Sequence, residues 1–259
     1  MDFKTFGNQK NPSLLLLHGL AMTWKSFDEI VPLLMDDYFL VIPVLDGHNP
    51  DNRSNFQTVQ EEAEKIEKKV VDDFDRHLSG VLGFSLGGTI AIELLTRNKI
   101  QMDRVILDGA CASTPGSLSR PYASMWISML SKFTDGKNIS SFLKKVTGSG
   151  DVEALYNMLF FNLSEKTITN ACKAAFEYEI SPYVGQTKAQ VTFWHGQREP
   201  YPAKTAKKMK EYLPAMRIRI FGNLGHGELF SRFPQRYVVE IRNFLLPENQ
   251  STDALQTES

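Results

Sequence analysis

The chain has 259 residues, 42% hydrophobic and 23% charged, enough to bury a substantial core as one large α/β domain or two small ones. Its formal net charge of −1, from 29 basic and 30 acidic residues, provides no long-range field favouring nucleic acid, an anionic membrane or a polyanionic substrate. The only two cysteines, Cys111 and Cys172, are too sparse for a disulfide scaffold or a cysteine zinc site and read as reduced, buried thiols.

In chain order, the start MDFKTFGNQK is polar and lacks a charged-then-apolar signal pattern. The apolar run Leu14 to Leu17 is far too short for a membrane span. A cytoplasmic location is therefore expected. Residues 13–17 (SLLLL) and 39–45 (FLVIPVL) are continuous apolar runs, the pattern of strands buried on both faces. The same holds for 80–84, 104–108, 190–194 and 216–221. Between them lie helical patterns: about 24–35, 58–74, 86–98, 203–213 and 231–246. In 58–74, Val59, Ala63, Ile66, Val70 and Phe74 recur at three- and four-residue steps on one helix face. Strand–helix alternation predicts an α/β fold, a mostly parallel sheet with helices on both faces.

One long insertion breaks the rhythm. Between the strands ending near Asp108 and starting near Gln190 only helical patterns occur. In 119–133, Tyr122, Met125, Trp126, Met129, Leu130 and Phe133 follow helical spacing, with Ser119 and Pro121 at cap and first-turn positions. The expected division is a core of residues 1–110 and 188–246, a helical lid at 111–187, and a disordered polar tail at 247–259. The lid would sit over the C-terminal edge of the sheet, where open α/β proteins bind ligands. Its large apolar residues (Met125, Trp126, Met129, Phe133, Phe142, Tyr156, Phe160, Phe161, Phe176) are expected mainly to pack, with a subset lining an apolar pocket.

The strongest chemical signal is Gly83-Phe84-Ser85-Leu86-Gly87, followed by Gly88. An apolar strand precedes it and a helix follows. A strand that turns directly into a helix forces Ser85 into a strained conformation with its hydroxyl projecting, and side chains two positions away on either side would collide. The backbone N–H of Leu86, at the start of that helix, is placed to receive an oxyanion.

Over residues 12–246 the sequence resembles the α/β-hydrolase family, in its capped, single-domain form. The motifs stand in family order: His18-Gly19 after an early strand, Asp46-Gly47-His48 after the next, the elbow at Ser85, and Gly225-His226-Gly227 near the C-terminus. A serine hydroxyl needs a base to become nucleophilic, and His226 is the expected base. It lies in a glycine-flanked loop after the last strand. His18 and His195 each precede a glycine at a strand end and read as structural; His48 and His77 are less well placed. Family order puts the acid that orients the imidazole in His195-Gly196-Gln197-Arg198-Glu199-Pro200, with Glu199 where members commonly carry Asp; Asp108 is the competitor. The resemblance also implies that the backbone N–H of Leu20 is a second oxyanion donor.

The expected function is a serine hydrolase that cleaves a small to medium apolar carboxylic ester through an acyl-enzyme, on a small-molecule substrate with no metal or organic cofactor. Serine at the elbow argues against the dehalogenase and epoxide hydrolase branches, which need a carboxylate there. Thioesterase, amidase, peptidase, lactonase and C–C hydrolase chemistry remain open within the fold, and the oligomeric state is unreadable. The alternative from another class is a ligand receptor that retains the triad but turns over slowly.

Overall fold

The computed structural model describes residues 1–51, 54–112, 115–134 and 162–246. Seven strands form one sheet: β1 (Asp2–Phe6), β2 (Ser13–Leu17), β3 (Phe39–Val44), β4 (His77–Phe84), β5 (Gln101–Asp108), β6 (Gln190–Gly196) and β7 (Arg217–Phe221). They lie in the order β1-β3-β2-β4-β5-β6-β7. All neighbours are parallel except β1 against β3. The order reverses between β2 and β4, and such a reversal opens a crevice at the C-terminal strand ends.

The apolar runs of β2 to β6 are continuous because both sheet faces are covered there. In β2, Leu15 and Leu17 join one buried cluster and Leu14 and Leu16 the other. The first cluster packs beneath α2 (Val59–Asp73), α3 (Leu86–Arg97) and α6 (Pro200–Tyr212). The second packs beneath α1 (Val31–Leu34) and the C-terminal pair α7 (Glu228–Arg232) and α8 (Pro234–Leu245). Thr58 caps α2 by accepting from the Glu61 N–H at 3.1 Å, which satisfies one orphan donor of the first turn.

Between β5 and β6 run α4 (Ser119–Thr134) and α5 (Glu165–Glu177). They share a small cluster of Ala123, Met129, Leu130, Ile168 and Cys172, against which Leu20, Tyr122 and Trp126 pack. Phe142, Tyr156, Phe160 and Phe161, the side chain of Phe133, and the tail 247–259 lie outside the described residues.

The structure departs from the sequence reading in four places. The run 216–221, read as buried on both faces, is the edge strand β7, exposed from Arg217 to Ile220, because no further strand or helix covers it among the described residues. β1 is a strand where only a polar start was read; DFKTF is a half-exposed edge with no continuous apolar run to mark it. The stretch 24–35 is a 3-10 turn at Trp24–Phe27 followed by the one-turn α1, because Pro32 can stand only in the first turn of a new helix. For the same reason 231–246 is two helices: Pro234 opens α8 directly after Phe233 ends α7.

Candidate active site

Ser85 links β4 to α3 with φ 54° and ψ −115°, a left-handed conformation that a non-glycine residue holds only when its surroundings over-determine it. Its N–H donates to the Asp108 carbonyl at 2.8 Å. The flanking glycines make the turn possible. A Cβ on Gly83 would stand 2.5 Å from the Gly87 carbonyl oxygen, and one on Gly87 would run into the Leu17 carbonyl.

His226 lies in the loop between β7 and α7. Its Nε2 is 3.0 Å from the Ser85 hydroxyl and its Nδ1 is 2.6 Å from Oε1 of Glu199. The second Glu199 oxygen accepts from the Gly196 N–H, so both oxygens of this buried carboxylate are engaged. Glu199 precedes α6 directly. The structure therefore brings Ser85, His226 and Glu199 together, in that order. Burial of the imidazole works to lower its pKa. The hydrogen bond and charge of Glu199 and the charge of Asp108 outweigh it, leaving the pKa above the ordinary histidine value.

Asp108 ends β5, where its Oδ2 accepts from the buried hydroxyl of Tyr237 at 2.8 Å. Burial, then the charge of Glu199, raises its pKa to about 7. Between Asp108 and the pair, Gly109 has φ 61°; a Cβ there would come within 2.9 Å of the His226 ring.

Leu20 and Leu86 both line the pocket in front of Ser85. As the first residue of α3, Leu86 has no intrahelical acceptor for its N–H. Leu20 sits in a tight turn closed by Met22 N–H to Gly19 O at 3.3 Å, with Ala21 at φ 57°. His18 fixes this turn: its Nδ1 bonds the Gly19 carbonyl at 3.0 Å and its Nε2 accepts from the Leu45 N–H at 3.2 Å. His48 is fully buried, bonds the Asp46 carbonyl through Nδ1 at 3.0 Å, and meets His18 edge-on. Burial first, then the charge of His48, takes His18 down to about 3; burial takes His48 down to about 4. His195 bonds its neighbour's carbonyl, Gly196 O, at 2.8 Å, and His77 pairs with Asp103 at the surface.

Sequence reasoning missed several supports. Phe84 stacks beneath the His226 ring, centroids 5.1 Å apart; an aromatic beside the elbow serine was its only signal. Glu228, 1% exposed, accepts from the Gly225 N–H at 2.7 Å and from Arg198 at 2.5 Å, which ties the loop of His226 to the loop of Glu199. The same loops are joined by Arg198 N–H to Leu224 O at 3.0 Å.

The pocket has a volume of about 600 Å³. Its apolar wall is Met22, Phe84, Tyr122, Met125, Trp126, Ala175, Phe176 and Phe230, with Arg198, Pro200 and Tyr201 also lining it. The free thiols of Cys111 and Cys172 line it too; burial pushes both up to about 12, with the Glu199 charge adding to Cys111. Among the described residues no group of three or more His, Cys, Asp or Glu side chains could hold a metal ion. None of the described helices is long and apolar enough to cross a membrane.

A family profile described as the alpha/beta hydrolase fold matches residues 12–136. The chain is 26% identical over 255 residues to a pimeloyl-[acyl-carrier protein] methyl ester esterase of Nitrosomonas europaea, covering 92% of this chain and 96% of that protein. It is 29% identical over 106 residues to a serine hydrolase-like protein of Mus musculus, covering 40% of this chain and 34% of that protein. Among solved structures, an alpha/beta hydrolase family protein from Desulfitobacterium hafniense superposes with a TM-score of 0.80 at 25% identity, covering 95% of this chain and 100% of that one. A lipase-esterase related protein from Clostridium acetobutylicum superposes with a TM-score of 0.74 at 17% identity, covering 94% and 98%. With the sheet order, the strained serine turn after β4 and these likenesses in agreement, the chain has the α/β-hydrolase fold and is similar to members of that family.

Proposed function

We propose that the protein is a serine hydrolase that cleaves a small to medium apolar carboxylic ester through an acyl-enzyme. The observation that carries this reading is the Ser85–His226–Glu199 chain of contacts, 3.0 Å and 2.6 Å long. His226 takes the proton of Ser85 as its Oγ attacks the ester carbon, and Glu199 holds Nδ1–H and stabilises the imidazolium. The N–H groups of Leu20 and Leu86 receive the oxyanion. His226 then protonates the leaving alcohol, and a water activated by the same imidazole releases the acid.

Glu199 rather than Asp108 is the acid, since Glu199 touches Nδ1 while the Asp108 carboxylate is held by Tyr237. The segment 111–187, with α4 and α5, acts as the lid, and its apolar residues Met125, Trp126 and Phe176 receive the acyl chain. The activity of the Nitrosomonas relative favours acyl methyl esters within this class.

The test is a fluorophosphonate probe with a panel of esters, thioesters and amides. The protein is expected to label stoichiometrically and turn over esters. Ser85→Ala is expected neither to label nor to turn over, losing at least about 10⁴-fold in kcat at unchanged thermal stability. Near-normal turnover by Ser85→Ala removes the serine from the mechanism; labelling without turnover across the panel points to a receptor.

A further inference from the structure

Three aromatic rings meet in a row at the pocket wall, one from each of α4, α5 and α6. Phe176 of α5 packs against Tyr122 of α4 with ring centroids 4.6 Å apart. Its other neighbour is Tyr201, in the first turn of α6, met edge-on at 5.9 Å. All three line the cavity in front of Ser85. Packing asks for the rings and not for hydroxyls, as the middle member, a phenylalanine, shows. The two outer members nonetheless carry hydroxyls into an otherwise apolar wall.

A tyrosine hydroxyl set in apolar surroundings normally finds a partner. Tyr178 and Tyr237 do so, donating to Glu93 and Asp108, each at 2.8 Å. The hydroxyls of Tyr122 and Tyr201 have no hydrogen-bond partner among the described residues. Unlike the Tyr38 hydroxyl, neither is sealed away from solvent. The two stand near each other and near both thiols of the pocket: burial raises the Tyr122 pKa, and Tyr201, Cys111 and Cys172 raise it further. Tyr122 therefore stays protonated and able to donate. The thiols stay protonated as well, but S–H is a weak donor.

We infer that the Tyr122 and Tyr201 hydroxyls form a second recognition point in the acyl pocket, donating to a neutral oxygen, such as a ketone or ether, carried on the acyl chain beyond the scissile ester. The inference rests on the ester hydrolase reading above and narrows its apolar acyl group to one that bears an oxygen. A carbonyl oxygen has two lone pairs and can accept from both hydroxyls at once. A plain alkyl chain in the same place strips both hydroxyls of water and returns nothing, and a site built to hydrogen-bond its substrate rejects an analogue on that account. The charge balance disfavours a carboxylate on the chain. Glu199 and Glu228 both line the cavity, against the single guanidinium of Arg198, which is bound to Glu228 at 2.5 Å. An anion between the tyrosines would face the Glu199 charge in a partly dry site.

The experiment compares the methyl ester of a straight alkanoic acid with its oxo analogues, the ketone carbonyl moved stepwise along the chain. The proteins are wild type, Tyr122→Phe, Tyr201→Phe and the double variant, all of which keep their rings against Phe176. Tyr183→Phe, at an exposed tyrosine outside the pocket, is the control. The readout is the ratio of kcat/KM for an oxo ester to that for its alkyl parent within one protein, which a general loss of folded enzyme does not move. At one chain position, wild type and control are expected to favour the oxo ester about tenfold or more. Each single variant is expected to lose part of that preference, and the double variant to fall to a ratio of about one. A ratio near one in wild type at every position overturns the inference. So does a preference that survives in the double variant, and so does a chain ending in a carboxylate that wild type prefers to every oxo ester. Failure of wild type to cleave any of the esters overturns the hydrolase reading itself, and this inference with it.

Discussion

Replacing Glu199 with Gln preserves shape and removes charge, and the structure predicts how the site responds. The two Glu199 oxygens accept from the His226 Nδ1–H and the Gly196 N–H. A glutamine has one oxygen for these two donors. If that oxygen stays on Gly196, its NH₂ faces Nδ1, and the imidazole must present a lone pair there. The ring proton then sits on Nε2, 3.0 Å from the Ser85 hydroxyl, and the base is lost. The reversed amide sets NH₂ against the Gly196 N–H in a buried site, where an unsatisfied donor costs about 1–3 kcal/mol. With the wrong tautomer and an unstabilised imidazolium, kcat is expected to fall about 10³–10⁴-fold, or ~4–5.5 kcal/mol of transition-state stabilisation. Activity requires neutral His226, so it is lost as pH falls through the raised histidine pKa. The wild-type acid limb therefore belongs above pH 6.5, and removing the Glu199 charge should move the residual limb downward. The assay is ester kcat and kcat/KM against pH, with active sites counted by fluorophosphonate titration. A Glu199→Gln enzyme within tenfold of wild type, beside a crippled Asp108→Asn enzyme, would refute the acid assignment.

Two further predictions concern stability. His18 and His48 are held neutral in the fold at about 3 and about 4 and would protonate near 6.5 once unfolded. Their depressed values stabilise above pH 6.5 and cease to do so as pH falls through them, a loss on the order of 8 kcal/mol in total, comparable to a whole domain's stability. Urea midpoints of Asp108→Asn, which lacks the opposing titration of that carboxyl, should fall steeply from pH 6.5 to 4; a flat profile in that variant contradicts the buried neutral pair. Asp108 acts with the opposite sign. Its pKa is raised from 3.8 to about 7, so its contribution is complete below pH 4 and is lost on rising to pH 7, on the order of 4 kcal/mol. Asp108→Asn, which keeps an acceptor for Tyr237, should remove that opposing contribution, and a slope unchanged from wild type would mean the carboxyl is ionised throughout.

The sequence by itself determined the parallel sheet and the elbow. Strands covered on both faces must be apolar at every position, as Leu14 to Leu17 are, and a serine forced to φ 54° requires glycine where any Cβ meets backbone. These are local consequences, legible in neighbouring residues. Half-exposed β1 escaped because an edge strand is free of that demand, and the proline breaks at 32 and 234 were legible but overridden by apolar spacing. The choice between Glu199 and Asp108 is different in kind. Both are buried carboxylates at ends of adjacent strands, β6 and β5, and no local pattern separates them. Only the fold decided which one reaches Nδ1, by bringing in Tyr237 from α8 to occupy Asp108. Distance along the chain had no bearing on it, because convergence of the 85, 199 and 226 side chains is a property of packing.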